Sequence, residues 1–326
     1  MKRFTCPVCD HEVFFDSLSC LNCGTELAYA PDVARLVDLS GRQPCGNRAA
    51  IGCNWVARKP GEGAFCVSCA MTETIPDLGV LGNDLRWRRI EGAKRRLVYS
   101  LLRLDLPLVS QAGNALTFRL LADEKMPDGR IQRVLTGHDN GLVTLNVSEA
   151  DDDRREKMRV EMGERYRTLL GHCRHEVGHF YYDVLVDEGG RRAEFEAIFG
   201  DPDQDYQEAL DRHYREGPPS GWEDGFVSAY ATTHPWEDFA ETFAHWLHMT
   251  DGLETAEAYG LTSGPDPYAE GTVEALAEAW VPLSVAMNAM SRALGQPDLY
   301  PFVLAPQVIR KLGFIHGLMG DRLQAV

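Results

Sequence analysis

Nowhere in the 326 residues is there an apolar run of the roughly 18 residues that a membrane-spanning helix needs. Nor is there a basic, then apolar leader: Met1-Lys-Arg-Phe-Thr runs straight into Cys6. Both absences lead us to expect a protein of a reducing cytoplasm, in which clustered cysteines serve as metal ligands rather than disulfides. Positive charge is also scarce, with 33 Lys and Arg against 49 Asp and Glu and a net charge of −16. A chain so acidic is a poor partner for nucleic acid. Internal repeats and low-complexity tracts are missing too, which excludes solenoids and fibrous classes.

The charge is unevenly spread. Residues 1–104 hold 14 Lys and Arg against 11 Asp and Glu, and the remainder 19 against 38, so the two parts carry +3 and −19. Much of the basic excess lies in Leu85–Arg103, an amphipathic helical pattern whose charges are most simply a solvated face or one that meets acidic residues.

What the chain does have is cysteine in the right pattern. Cys6-Pro-Val-Cys9 and Cys20-Leu-Asn-Cys23 are two Cys-x-x-Cys knuckles, the spacing of a closed four-cysteine zinc ribbon. Cys45, Cys53, Cys66 and Cys69 form a second set, less regular but ending in another Cys-x-x-Cys. Structural zinc would fold segments too short to hold a core of their own. Ribbons of this kind suit a protein partner. Cys173 stands apart and reads as a buried core residue, not a nucleophile.

The other signal is His175-Glu176-Val177-Gly178-His179. Leu169, Leu170, Cys173, Val177 and Phe180 recur at spacings of three and four, which predicts a buried helix over Arg165–Leu185. On such a helix the two imidazoles stack one turn apart with a carboxylate beside them, half of a zinc hydrolase site. Gly171 and Gly178 would weaken an exposed helix, so we expect close approach of another element there. A hydrolytic zinc wants a third protein ligand and an open fourth position. Downstream, a helix is expected to start near Pro235, with Glu237, Glu241, His245 and His248 on one face of an otherwise apolar stretch. One of them would bind metal and another would orient a ligand. A metzincin ligand set is excluded, because Tyr182 and Leu185 stand where its Gly and third His would be.

These segments resemble a family. The His-Glu-x-x-His helix followed by Tyr230, six residues, then Glu237-Asp-Phe-Ala-Glu241 is similar to the gluzincin metallopeptidases of the anthrax lethal factor type. The resemblance implies Glu237 as the third zinc ligand, with His245 as its rival, Tyr230 as a transition-state donor and Glu241 as a partner of a ligand histidine. The wider arrangement, ribbon, RTLLGHCRHEVGH, HPWEDFAETFAHWLH and a DLYPFVLAPQVIRKLGFIH tail, resembles a bacterial family of zinc-binding metallopeptidases with an N-terminal zinc ribbon. That implies an α+β fold, a mostly helical zincin-like catalytic domain with a small sheet, behind zinc-ribbon modules of four cysteines each. It also implies one catalytic and two structural zinc ions, and a peptide or protein substrate. Glu176 would be the general base, and His234 is a second candidate donor beside Tyr230.

The expected organisation is a ribbon over 1–30, a second four-cysteine module over 31–75, a Gly-punctuated link over 76–84 and a catalytic domain over 85–326. Within the last, Thr117–Leu121 and Leu142–Val147 read as strands, with Gly137–Gly141 as a turn. The strand over 142–147 is either the edge strand that pairs with substrate or an ordinary interior strand. Gly217–Gly221 and Thr262–Pro267 break the second half into helical blocks, Val273–Leu294 is another helix, and Val303–Leu318 is expected to pack the C-terminus. A different class of function also fits the residues: a zinc-holding scaffold whose ribbons do the binding.

Overall fold

The computed structural model describes residues 1–126, 128–161, 164–263, 266–268 and 271–323. Its contacts fall into two compact units, Met1–Leu102 with Leu116–Arg155, and Arg103–Ala115 with Glu156–Val326. This grouping cuts across the module boundaries expected from the sequence, since the strands upstream of the His-Glu-x-x-His helix gather with the cysteine modules.

In the first unit the cysteine modules are built from short antiparallel pairs, β1 (Phe4–Thr5) with β2 (Glu12–Val13) and β3 (Leu27–Ala30) with β4 (Arg35–Asp38). Single-turn helices α1 (Arg48–Ile51) and α2 (Val67–Ala70) follow. Neither module has room for a core of its own, and they share one. Tyr29 donates its amide to Asn54 O and accepts at its carbonyl from Val56, which knits the first module to the second. Phe15, Tyr29 and Trp55 pack ring against ring with centroids 5.0–6.3 Å apart. The long helix α3 (Asn83–Arg103) inserts Tyr99 among them, 5.3 Å from Phe15 and 5.7 Å from Tyr29. Elsewhere along α3, fully buried Lys94 pairs with Glu91 at 2.8 Å and lies over the Phe118 ring. A cation so buried is held only because its partners are equally buried.

Phe118 belongs to a four-stranded sheet of order β5-β6-β10-β9. Its strands are β5 (Thr72–Thr74), β6 (Thr117–Leu121), β9 (Gly137–Asp139) and β10 (Leu142–Asn146); β7 (Glu124–Lys125) and β8 (Ile131–Gln132) form a separate hairpin. The expected turn over 137–141 is therefore shorter. Gly137–Asp139 is a strand, and the reversal is made by Asn140 and Gly141 alone, both at positive φ as a tight hairpin requires. The strand over 142–147 is interior, flanked by parallel β6 and antiparallel β9, so the edge-strand alternative is overturned. The signal was ambiguous because an alternating run says which face is buried and nothing about how many neighbours the strand has.

The second unit is helical: part of α4 (Asp152–Glu161), then α5 (Leu169–Tyr182), α6 (Arg192–Phe199), α7 (Tyr206–Glu216), α8 (Pro235–Ala258), α9 (Val273–Ala293) and α10 (Pro306–Leu323). Helix α5 begins at Leu169, the first of its periodic apolar residues and four residues after the expected Arg165, because Thr168 caps it by accepting the Gly171 amide. At its far end it widens into a π turn over Asp183–Asp187. Helix α8 starts where expected, with Pro235 in the first turn and His234 as the capping residue. Of the expected break at 262–267, Gly264 and Pro265 lie outside the described residues.

Helices α5 and α8 form the frame of this unit, and Gly178 is where they meet. A Cβ at Gly178 would stand 2.8 Å from Ala240 Cα. Gly178→Ala is accordingly expected to lower stability by about 1–3 kcal/mol, the usual range for overpacking, read as a fall in the midpoint of thermal unfolding. From the other side α10 locks onto α8. Lys311 Nζ lies 2.6 Å from the fully buried Asp238 and donates to Gly225 O at 2.7 Å, with its charge over the Phe226 ring. No helix among the described residues is long and apolar enough to cross a membrane.

Candidate metal centres

Among the described residues, three groups of side chains have metal-ligand chemistry and mutual distances to match: Cys6, Cys9, Cys20 and Cys23; Cys45, Cys53, Cys66 and Cys69; and His175, His179 and Glu237. In the first, Cys6 and Cys23 sulfurs stand 3.7 Å apart and Cys9 and Cys20 3.6 Å. In the second, Cys53 Sγ is 3.6 Å from Cys66 and 3.7 Å from Cys69. Thiolates bound tetrahedrally to zinc are about 3.8 Å apart, and disulfide sulfurs about 2.05 Å. Both sets have the zinc spacing. The second is buried at all four positions, whereas Cys23 of the first is exposed.

The third group arises from the meeting of α5 and α8. Because residues i and i+4 lie on one side of a helix, His175 and His179 present their Nε2 atoms 3.2 Å apart. Glu237, in the first turn of α8, brings Oε2 to 3.0 Å from His175 Nε2 and 3.5 Å from His179 Nε2. Tetrahedral zinc holds nitrogen and oxygen donors about 3.3 Å apart, so this triangle is the right size. A second observation makes the same point. Glu237 Oε2 is buried and has no hydrogen-bond partner. His175 Nδ1 faces Glu241 Oε1 at 2.7 Å and is placed to donate to it, which leaves its Nε2 lone pair directed at the nitrogen of His179 and the oxygen of Glu237. Three buried acceptors converging on one point repel one another unless a cation lies between them. The donor set fits zinc.

The surroundings tune these groups. Burial alone would raise the Glu237 carboxyl, but the imidazoles of His179 and His175 beside it hold it well below its ordinary range. Burial opposes a charge on His175, and Glu237 and Glu241 outweigh it and raise its pKa, so the pocket draws positive charge to this point and a metal ion binds there by displacing a proton from Nε2. Glu241 is pulled down to about 2 against the effect of burial, chiefly by His175, and its second oxygen accepts from Ser228 Oγ at 2.6 Å. Glu241 thus stands behind His175, fixed in turn by Ser228. The His179 ring is covered by the indole of Trp236 at 3.7 Å.

Glu176 is buried next to His175, and its carboxylate meets His172 Nε2 at 3.1 Å, one turn back on α5. Burial would raise its pKa, but the hydrogen bond and charge of His172 lower it below the usual value. A carboxylate that stays ionised beside a metal centre can accept a proton. Tyr230 lies in a short 3-10 turn just before α8, its ring 5.8 Å from that of His175. Burial, then the charge of Glu237, pushes its pKa up, so its hydroxyl stays protonated and can donate.

The other expected candidates are elsewhere engaged. His245 Nδ1 bonds Tyr300 Oη at 2.8 Å, and burial lowers its pKa to about 4. Among the described residues the three-membered group takes Glu237 rather than His245. His248 faces Arg174. His234 commits both ring nitrogens to backbone, accepting the Trp236 amide at 3.1 Å and lying 3.2 Å from Gln204 O, so it does not reach toward the centre as a donor. Cys173 is fully buried. Sequence reasoning overlooked His172, Trp236, Ser228 and Tyr206, whose hydroxyl donates to Glu237 Oε1 at 2.7 Å. The first stands four residues before Glu176 on a helix already identified, and was findable from spacing. Ser228 and Tyr206 are joined to the site only through tertiary contact.

Comparison with known proteins agrees with the chemistry. A family described as "Putative zinc-binding metallo-peptidase" matches residues 83–318, and a zinc-ribbon domain matches residues 3–80. Uncharacterized proteins of Mycobacterium bovis and Mycobacterium tuberculosis are each 42% identical to this chain over 333 residues, covering 98% of it and 96% of the relative. No solved structure matches significantly. With the group of two histidines and one glutamate and both cysteine sets inside the matched spans, the chain belongs to this family of zinc-binding metallopeptidases that carry a zinc ribbon.

Proposed function

We propose that this chain is a zinc-dependent peptidase of the gluzincin kind, which hydrolyses peptide bonds at a centre held by His175, His179 and Glu237. The observation that carries the reading is the triangle of Nε2, Nε2 and Oε2 atoms at 3.0–3.5 Å with the buried Glu176 carboxylate beside it, met by His172 Nε2 at 3.1 Å. Zinc bound there supplies Lewis acidity toward the scissile carbonyl and acidifies water so that it can act as nucleophile near neutral pH. Glu176, oriented by His172, takes the proton from the attacking water and returns it to the leaving amine. Tyr230 donates its hydroxyl proton in a hydrogen bond to the oxyanion of the tetrahedral intermediate, a contribution that is typically about 3 kcal/mol. Glu241 and Ser228 fix the tautomer and orientation of His175. The two four-cysteine sets hold structural zinc, and the ribbon surface presents substrate or a protein partner.

The test is exposure of a mixed peptide library to the zinc-loaded protein, with new N-termini read by mass spectrometry. Cleavages made by the wild type and missing with Glu176→Gln support the reading. Identical product sets from the two proteins would contradict it and leave the scaffold function in its place.

A further inference from the structure

Glu237 treats its two carboxylate oxygens differently. Oε2 faces the histidines, whereas Oε1 accepts a hydrogen bond from the Tyr206 hydroxyl at 2.7 Å. A carboxylate left to rotate can turn either oxygen, or both, toward a cation. Ligand carboxylates are for this reason commonly held by a neighbouring donor, and a hydrolytic centre works only while a position stays open for substrate and water.

The Tyr206 ring packs only at its edge, and the residue remains partly exposed. It is the first residue of α7, a helix whose start is set by Asp205, which accepts the Glu208 amide, and which buries only Ala209. The residue is 36% exposed, and its ring meets His234 and Trp236 edge-on, at 5.5 and 5.9 Å. The part of the side chain that reaches into the site is the hydroxyl. Facing a carboxylate oxygen, which can only accept, that hydroxyl is the donor.

We infer that Tyr206 is a positioning residue of the metal centre: its hydroxyl holds Oε1 of Glu237, so that Oε2 alone joins the nitrogens of His175 and His179. This rests on the reading of Glu237 as a zinc ligand. Helix α7 thereby completes the ligand set from outside the α5 and α8 frame.

The test is competition of the zinc-loaded full chain against a chromophoric chelator, which reads the affinity of the most weakly held zinc without any substrate. Tyr206→Phe keeps the ring and removes only the hydroxyl, and is expected to weaken that zinc about 10-fold, the low end for loss of a ligand's outer partner. His213→Ala is the control for α7 packing, because the contacts of His213 are with Thr232 Oγ1, at 3.4 Å, and the rings of Tyr214 and Tyr230, none of them a metal ligand. It should leave the affinity unchanged. The inference is overturned if Tyr206→Phe holds zinc as tightly as the wild type while Glu237→Ala loses it, or if His213→Ala weakens zinc as much as Tyr206→Phe. Should Glu237→Ala keep its zinc, the ligand reading itself fails, and the role of Tyr206 with it.

Discussion

Glu176→Gln is expected to lower kcat on any peptide the protein cleaves by about 10²–10⁴-fold, the range for loss of a positioned general base. Zinc content and unfolding temperature should stay at wild-type values. The reason lies in the geometry: Gln has the shape of Glu and can keep a hydrogen bond to His172, and residue 176 is not among the three whose donor atoms converge. What is lost is proton acceptance. The measurement is kcat beside zinc content on the same preparation. A large fall in activity that tracked a fall in zinc would mean that Glu176 supports the metal rather than the proton transfer.

The second large effect concerns the cysteine modules. Cys53→Ala is expected to unfold much of the first unit rather than to loosen one turn. Structural zinc contributes roughly 10–16 kcal/mol in small modules, comparable to or more than the whole stability of an ordinary domain. Cys53 is fully buried, and Trp55, two residues on, shares its aromatic core with Phe15, Tyr29 and Tyr99 of α3. Loss of the second zinc would therefore spread into the first module and into α3. Hydrogen exchange checks it: the amides of Tyr29 and Val56, bonded across the two modules, should lose protection. Retained protection at Tyr29 would show that the modules fold independently.

How much of this was legible beforehand depends on the range of the interactions. The His-Glu-x-x-His helix, the Pro235 helix start and the cysteine sets are local in sequence, and each was readable from spacing because helical periodicity and zinc geometry impose it. Gly178 was readable as a close approach because glycine in a buried helix has few other uses, though not that Ala240 would be its neighbour. The start of α5 was placed four residues early, although its apolar pattern begins at Leu169 and Thr168 just before it is the N-cap. The place of the 142–147 strand in its sheet is a tertiary property, decided by pairing with β9 and β6. So too is the shared aromatic core, since Tyr99 lies far beyond Tyr29 in sequence and only the fold brings them to 5.7 Å. At the site, His172 followed a helical rule that had been applied to its neighbours. Tyr206 and Ser228 obey no such rule, because they reach Glu237 and Glu241 from other segments.

The central claim is that His175, His179 and Glu237 together hold a zinc ion distinct from those of the cysteine sets. It is tested most directly by elemental analysis of the purified protein beside its Glu237→Ala, Cys6→Ala and Glu176→Gln variants. The account predicts about three zinc ions per chain, one fewer in Glu237→Ala and in Cys6→Ala, and no loss in Glu176→Gln. Two zinc ions in the wild type, with none lost in Glu237→Ala, would contradict it.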